Sequence, residues 1–233
     1  MLKDLTAQLG VVLSKPMLES LERYKEILID WNQKINLTAI EEPSDIDIKH
    51  FADSLTILQY LPKKPLKMID VGSGAGFPGI PVKIVRNDIE MTLLETVGKK
   101  VNFMNEVITK LGLNDINAIH ARAEDLANNP DYREKFDVAV GRALASLPTL
   151  IEYCLPFVKI GGIFIAMKGS NVDQELGDSK TALSILGGTI EGVNHFNLPT
   201  TDMQRTIIIV RKTMTTPQKY PRKAGTPSKQ PLI

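Results

Sequence analysis

The sequence has few of the residues that hold disulfide-bonded or metal-bound folds together. It contains one cysteine, Cys154, and three scattered histidines, His50, His120 and His195. A single cysteine cannot form an internal disulfide, and this set lacks the spacing of zinc ligands. We therefore exclude a disulfide scaffold and a zinc finger, and we predict no metal site.

Long apolar runs are also missing. No stretch approaches the roughly 20 residues that a membrane helix needs, and the apolar run at residues 9–13 is too short for a signal peptide. Hydrophobic residues make up 43% of the 233 residues and charged residues 24%, which is typical of a globular chain that buries its own core. We expect a cytoplasmic protein. Because no apolar stripe is left over for a partner, we also expect a monomer.

Acidic residues are absent from residues 203–233, which contain seven Lys or Arg. The preceding 202 residues hold 21 basic and 27 acidic side chains. Clustered cations displace counterions from phosphate, so this asymmetry indicates a nucleic-acid contact, with a solvated tail as the alternative. Four prolines lie beyond Thr213 among basic and small residues, and we predict no regular structure there.

Hydrophobic periodicity divides the chain into three parts. Residues 1–64 have helical patterns, one of which begins near Ser14 and Pro16, and should form an extension packed on the core. Residues 65–212 alternate short apolar strands with helical patterns, which predicts a doubly wound α/β domain with a mostly parallel sheet. Residues 213–233 form the basic tail. The predicted strands are residues 66–71, 90–95, 117–120, 136–140, 162–168, 189–196 and 205–210, the last two antiparallel because their connection is too short for a crossover helix, and the predicted core helices are residues 80–86, 99–111, 147–158 and 173–186.

A glycine-rich segment follows the first predicted strand. Gly72, Gly74 and Gly76 alternate there, and glycines at this position let a ligand approach the backbone closely. The last two glycines together with Gly79 also satisfy the dinucleotide-binding pattern, so a nicotinamide-dependent oxidoreductase stays open. Asp70 favours S-adenosylmethionine instead, because a carboxylate there would repel a pyrophosphate and can receive an ammonium group.

Acidic residues also follow the next two predicted strands. Glu95 ends the second strand and can accept hydrogen bonds from both ribose hydroxyls of a nucleoside. Ala123 and Glu124 follow the third strand, where a backbone N–H and a carboxylate can meet the adenine ring nitrogen and amino group. Acids after three consecutive strands together indicate a methyl donor rather than a dinucleotide.

The segment after the fourth predicted strand bears on the methyl acceptor. It lacks the acid or amide followed by prolines that is usual for amino-group methylation, and it has Arg142 rather than the acid of a ribose methylase. Cys154 lies among apolar residues, which disfavours pyrimidine C5 chemistry. A purine N7 carries an in-plane lone pair and needs alignment but no general base. Arg142 is predicted to orient a guanine through O6 or to bind phosphate.

Four motifs together resemble those of the bacterial small-subunit ribosomal RNA guanine-N7 methyltransferases, formerly called glucose-inhibited division protein B. They are residues 70–79, 50–55, 141–143 and 220–227, and the likeness extends from Trp31 to the last residues. The resemblance implies a class I S-adenosylmethionine-dependent fold, Rossmann-like with seven strands. It also implies direct in-line methylation of N7 of guanine 527 in 16S rRNA, without a covalent intermediate.

The resemblance also assigns residues to the cofactor. By position, Gly72, Phe77, Ala123, Glu124 and Arg142 would contact S-adenosylmethionine, which leaves Arg142 with two alternative roles. Where the family often has glycine, this chain has alanine at position 121, a change that should not disturb the site.

Other residues are predicted to serve the RNA. His50 and Asp53 lie three apart on one helix face and can reach the methyl-transfer pocket, although capping or packing is the alternative. The predicted RNA contacts are Lys168, Arg211, Arg222 and Lys223. An RNA-binding or ribosome-assembly protein without catalysis would explain the basic tail equally well, but it would leave the glycine segment without a ligand.

Overall fold

A seven-stranded sheet crosses the centre of the molecule. The computed structural model describes residues 1–233, and its strands lie in the order β3-β2-β1-β4-β5-β7-β6. Strands β1 to β5 are parallel, whereas β7 is antiparallel to both of its neighbours, β5 and β6. The strands are β1 Leu66–Val71, β2 Ile89–Glu95, β3 Ile116–His120, β4 Phe136–Arg142, β5 Val158–Lys168, β6 Gly188–Asn197 and β7 Gln204–Lys212. The predicted fold class and the antiparallel last pair are thus confirmed.

Helices cover both faces of the sheet and bury two apolar clusters against it. One cluster contains Met68, Leu93 and the aromatic ring of Phe103, and the other contains Ile69, Phe164 and Ile208. Burial of strand residues on both faces explains why the strands are nearly continuous apolar runs. The helices are α1 Leu2–Gln8, α2 Lys15–Asn32, α3 Pro43–Asp45, α4 Asp53–Leu55, α5 Gly79–Val85, α6 Gly98–Leu111, α7 Ala123–Leu126, α8 Leu147–Cys154, α9 Asp173–Asp178, α10 Lys180–Leu186 and α11 Thr226–Lys229.

The amino-terminal helices pack on the side of the sheet that carries the glycine segment. The predicted start of α2 is confirmed, since the Ser14 side chain accepts a hydrogen bond from the backbone N–H of Met17 at 3.5 Å. Residues 43–60 are helical as predicted, but their pitch changes along the way. A π-helical stretch, Ile46–Ala52, joins α3 to α4, and a 3-10 turn, Thr56–Tyr60, follows. His50, in the π-helical stretch, and Asp53, at the start of α4, are both buried.

Three predicted elements differ from the structure. The helix expected at residues 147–158 ends at Cys154, because Pro156 has no N–H to continue it; a 3-10 turn, Leu155–Phe157, follows, and Val158 begins β5. The helix expected at residues 173–186 is two helices, α9 and α10, which meet at Ser179, two residues after the helix-weakening Gly177. The expectation that residues beyond Thr213 lack regular structure is wrong, because the helix α11 forms there. The tail also packs on the core through the buried residues Thr216, Tyr220 and Pro227. None of the helices combines the length and apolar character that crossing a membrane requires.

Candidate active site

The glycine segment makes a tight loop between β1 and α5. Gly72, Gly74 and Gly76 have φ angles of 75°, 59° and 88°, a left-handed conformation that glycine adopts without strain. A Cβ at Gly76 would lie 2.4 Å from Ile80 Cδ1 and 2.8 Å from the hydroxyl oxygen of Tyr24. A Cβ at Gly74 would meet no atom within 4 Å. The loop is therefore packed against α2 on one side and open at Gly74, where a ligand has access to its backbone.

Asp70 lies beneath this loop at the end of β1. Its carboxyl group accepts a hydrogen bond from the backbone N–H of Gly79 at 2.9 Å, and the residue is only 1% exposed. Burial raises the pKa of Asp70 to about 7, although the Gly79 N–H and the charge of Arg142 act in the opposite direction. In this structure Asp70 thus fixes the shape of the loop.

Glu95 ends β2, and Glu124 follows β3 in the first turn of α7, as predicted. The Glu95 carboxylate accepts hydrogen bonds from the backbone N–H groups of Gly74, Thr96 and Val97 at 2.7–2.9 Å, which ties the glycine loop to the end of β2. The Glu124 carboxylate accepts one from the backbone N–H of Gly225 at 2.9 Å. Both glutamates are nearly buried, so each is a preorganised hydrogen-bond acceptor.

Glu95 and Glu124 line a cavity that we call the strand-end cavity. It has a volume of about 230 Å³. The structure brings together here the ends of β1, β2 and β3, from which the sequence had predicted a nucleoside site. The cavity lining includes Gly72, Glu95, Ala123, Glu124, Leu144 and Ser228.

A second cavity, which we call the arginine cavity, lies on the other side of residues 143–145. It has a volume of about 430 Å³ and is lined by Lys49, His50, Asp53, Arg142, Lys168 and Arg205, among others. Ala143, with a φ of 50°, belongs to its lining, whereas the next residue, Leu144, lines the strand-end cavity. The Leu144 side chain lies over Gly72, where a Cβ would come within 2.8 Å of Leu144 Cδ2. One short segment thus separates the two cavities.

Asp53 is the centre of a charged cluster in the arginine cavity. One carboxylate oxygen accepts from Nη1 of Arg142 at 3.2 Å and the other from Nε of Arg205 at 3.1 Å. Nη1 of Arg142 also donates to the Lys49 carbonyl at 3.3 Å. One carboxylate therefore holds two guanidinium groups in a fixed orientation at the cavity wall.

His50 completes this cluster as a neutral side chain. Its Nδ1 lies 3.3 Å from Nη2 of Arg142, and its Nε2 lies 2.9 Å from Oγ1 of Thr38. Because a guanidinium can only donate, Nδ1 accepts and the ring proton belongs on Nε2. Burial and, to a lesser degree, the charge of Arg142 lower the pKa of His50 to about 3. The imidazole also stacks on the ring of Phe77, with centroids 4.3 Å apart and planes 6° apart.

Phe77 connects the glycine loop to the charged cluster. Its ring is 3% exposed, and the guanidinium carbon of Arg142 lies 5.3 Å from the ring centroid. The side chain that the resemblance assigns to the cofactor is thus packed beneath Arg142 and His50. Any contact of Phe77 with a cofactor falls to its backbone.

The four predicted RNA contacts lie in different places. Lys168 is in the arginine cavity, 2.8 Å from Glu175, and Lys223 is exposed on the tail. Arg222 donates through Nε and Nη2 to the nearly buried carboxylate of Glu152. Arg211 lies opposite Ile163, at the far end of the pairing between β5 and β7, and it lines neither cavity.

Sequence reasoning missed several residues that line the two cavities. The most informative is Arg205, which in the sequence is only one of the seven cations of residues 203–233. It is the second residue of β7. Because β7 runs antiparallel to β5, the start of β7 lies beside Lys168 at the end of β5. The sequence predicted the antiparallel pair of β6 and β7 but not the pairing of β7 with β5, and only the second pairing places Arg205 at this edge of the sheet. Other missed lining residues are Lys49, Leu144 and Ser228, and Thr38, which lines neither cavity, was missed as the partner of His50.

The sheet order, the single reversed strand, the glycine loop after β1 and the acids after β2 and β3 define a class I S-adenosylmethionine-dependent methyltransferase. The chain belongs to the rRNA small subunit methyltransferase G family, whose model matches residues 17–208. It is therefore an rRNA methyltransferase. The oxidoreductase and non-catalytic alternatives are set aside.

Similar proteins agree with this assignment. The chain is 55% identical to "Ribosomal RNA small subunit methyltransferase G" of Acetivibrio thermocellus over 96% of this chain and 92% of that protein. It is 48% identical to the protein of the same name from Alkaliphilus oremlandii, over 99% and 97% of the two chains.

Solved structures with low sequence identity share the fold. A precorrin-6y C5,15-methyltransferase from Geobacter metallireducens superposes with a TM-score of 0.51 at 17% identity, covering 77% of this chain and 92% of that one. A ribosomal protein L11 methylase from Lactobacillus delbrueckii gives 0.53 at 17% identity, covering 71% and 79%. At this identity the likeness concerns the fold alone.

Proposed function

We propose that this protein transfers the methyl group of S-adenosylmethionine to N7 of guanine 527 in 16S rRNA. One observation carries the proposal. A nucleoside-sized cavity and a cavity bearing four cationic side chains lie on either side of residues 143–145, and the acid and the imidazole of the second cavity are both engaged by arginine. Such a site suits an acceptor atom that needs orientation but no base.

The strand-end cavity fits the cofactor. The open side of Gly74 admits a ligand to the loop backbone, and Glu95 and Glu124 offer acceptors for ribose hydroxyls and an adenine amino group. We propose Asp70, Gly72, Gly74, Gly76, Phe77, Glu95, Ala123 and Glu124 as the residues that hold S-adenosylmethionine. When bound, it supplies a methyl group activated by a sulfonium.

Arg142 is the proposed catalytic residue for the acceptor. It lines the arginine cavity, which supports its role toward guanine over its role toward the cofactor. A guanidinium at this point can donate to guanine O6, next to N7, and hold the base in line with the methyl group. The N7 lone pair then forms the new bond to carbon as the carbon–sulfur bond breaks, and the bonding electrons stay on sulfur. No proton leaves N7, so no base is required.

His50 and Asp53 act through Arg142 in this proposal. With a pKa of about 3 and its Nδ1 directed at Arg142, His50 is neither an acid nor an available base at neutral pH. Asp53 neutralises part of the charge of Arg142 and Arg205 and fixes both side chains. We propose that these two residues determine where the guanidinium of Arg142 points.

The remaining cations are proposed to bind RNA. Lys49, Lys168 and Arg205 line the arginine cavity together with Arg142. Asp53, Asp45 and Glu175 pair with these cations and leave one positive charge in excess, which suits a phosphate backbone. Lys223 on the tail is exposed and extends this surface in the proposal, while Arg222 would have to contact RNA without leaving Glu152. We further propose that the protein works as a monomer in the cytoplasm.

Transfer of labelled methyl from S-adenosylmethionine to small ribosomal subunits that lack this modification tests the proposal. The RNA is digested to nucleosides and, separately, the labelled position is mapped. Label in N7-methylguanosine at position 527 is the expected result. Label in another nucleoside would overturn the acceptor assignment, and label at another guanine would overturn the position alone.

A further inference from the structure

The carboxy-terminal tail is fastened to the domain at its beginning by two charged side chains. Arg133 donates to the backbone carbonyls of Thr216 and Tyr220 at 2.8 Å each. Glu134 accepts from the backbone N–H of Thr216 at 2.8 Å and pairs with the fully buried Lys212 at 3.3 Å. The tail therefore leaves β7 in a fixed direction.

A second attachment lies farther along the tail. Arg222 contacts Glu152 through its backbone N–H at 2.8 Å and its guanidinium at 2.6–3.0 Å, and the side chain of Glu152 is 1% exposed. Removing one partner of such a buried pair leaves an uncompensated charge, so the pair holds the tail strongly. The Thr149 hydroxyl also donates to the carbonyl of Pro227 at 3.2 Å. These contacts carry the tail along α8 toward the strand-end cavity.

The tail reaches that cavity at residues 225–228. The backbone N–H of Gly225 donates to Oε1 of Glu124, and Ser228 is part of the cavity lining. Glu124 is 5% exposed and is the acid at the end of β3 that faces the nucleoside site. The hydrogen bond from Gly225 occupies one carboxylate oxygen, which leaves Oε2 as an acceptor for a bound base.

We propose that residues 225–228 form part of the wall of the cofactor pocket and contribute to cofactor binding. They position Glu124 so that its free oxygen accepts a hydrogen bond from the adenine amino group, and they thereby set the affinity for the cofactor and the preference for adenine. Gly225 and Ser228 are positioning residues rather than catalytic ones. This inference rests on the proposed use of S-adenosylmethionine.

The first test is a chain that ends after Ala224. It loses the Gly225 donor and Ser228 but keeps the ion pair between Arg222 and Glu152. Calorimetry would measure binding of S-adenosylhomocysteine and of S-inosylhomocysteine, in which an oxo group replaces the amino group. We expect affinity for the adenine ligand to fall about tenfold and affinity for the inosine ligand to change little, because the lost hydrogen bond serves the amino group.

Matched variants separate positioning from general loosening of the structure. A chain that ends after Gln230 keeps Gly225 and Ser228 and should bind both ligands like the full chain. In a Glu124→Ala background, ending the chain after Ala224 should cause no further loss of affinity for S-adenosylhomocysteine, because the effect of this truncation acts through Glu124. Thermal unfolding and circular dichroism would show that each variant is folded. An undiminished adenine preference in the chain ending after Ala224, or independent losses in the double variant, would overturn the proposal.

Glu124→Gln provides a test in the full-length chain. The Gly225 N–H can donate only to the amide oxygen, so the amide NH₂ should face the ligand. We expect the preference to move from S-adenosylhomocysteine toward S-inosylhomocysteine, and an unchanged preference would contradict the role of Gly225. If the unaltered protein binds neither ligand, the proposed use of S-adenosylmethionine is wrong. If it binds them but the variants keep its preference, only the role of residues 225–228 is wrong.

Discussion

The strand-end cavity and the arginine cavity are built in different ways. The ends of β1, β2 and β3 supply backbone groups and carboxylates to the first, and Leu144, Tyr153 and Ser228 from other parts of the chain complete its lining. The second takes side chains from a helix at residues 46–52, from α4, from the end of β4 and from the start of β7. The strand-end part of the proposed cofactor site can therefore be predicted from local sequence, whereas the proposed acceptor site exists only after distant segments have packed together.

Arg142→Ala should separate the two cavities most clearly. We expect methyl transfer to small subunits to fall about 1,000-fold or more, because the base loses its orienting group and Asp53 loses a partner. Affinity for S-adenosylhomocysteine should change less than about threefold.

Arg142→Lys is the matched control for this variant. Lysine keeps the charge but lacks the fork that contacts both Asp53 and His50, so we expect it to recover little activity. If both substitutions weakened S-adenosylhomocysteine binding as much as they reduced transfer, Arg142 would belong to the cofactor instead.

Asp70, beneath the glycine loop, and His50, in the arginine cavity, should make the stability of the fold depend on pH with opposite signs. Burial raises the pKa of Asp70 in the folded state to about 7 from its ordinary value of 3.8. The folded state therefore holds this proton more tightly than the unfolded state does. Its contribution to stability is complete below about pH 4 and is lost as the pH rises through 7. Replacement by Asn removes this titration. Between pH 5 and 8, the free energy of unfolding of the unaltered protein should fall relative to Asp70→Asn by an amount on the order of 3 kcal/mol.

His50 supplies the opposite case. Its pKa is lowered from 6.5 to about 3, so the neutral ring stabilises the fold above pH 6.5 and this contribution is lost as the pH falls toward 3. Chemical denaturation of the unaltered protein, Asp70→Asn and His50→Asn between about pH 3 and 8 would measure how the free energy of unfolding depends on pH through each group. Identical pH profiles for all three proteins would show that neither group titrates as its burial indicates.

Gly74→Val tests whether the open side of the glycine loop is the ligand side. The substitution adds strain at a φ of 59°, and its side chain enters the space where no atom lies within 4 Å. We expect S-adenosylhomocysteine affinity to fall about thirtyfold. Gly112→Val is a matched control, since Gly112 has a φ of 61° and equally open surroundings but ends α6. It should lose about 1–2 kcal/mol of stability without a change in affinity. Similar affinity losses in both would attribute the effect to strain alone.

The same division explains which features could be predicted from the sequence. All seven strands and the loop at Gly72–Gly76 follow from periodicity and from the position of glycines after an apolar strand, which are local signals. Arg205 and Thr38 gave no local signal, because their partners Asp53 and His50 lie elsewhere in the chain. The ordered structure of the tail could not be predicted for a related reason. Its prolines and cations are typical of a solvated segment, but buried acids in the core hold it in place.

The smallest effects concern the predicted RNA contacts, and they show how far the RNA surface extends from the arginine cavity. Lys168 and Arg211 lie near opposite ends of the pairing between β5 and β7, so their replacement by Ala removes one cation from each end. Lys168 lies in the arginine cavity, whereas Arg211 pairs with Glu191 at 2.6 Å on the surface. We expect Lys168→Ala to weaken binding to small subunits about threefold and to reduce its salt dependence, and Arg211→Ala to have the smaller effect. Filter binding at several salt concentrations would measure both. Equal losses would mean that RNA reaches the far end of the sheet, and then the arginine cavity is only one part of a footprint that crosses the whole sheet.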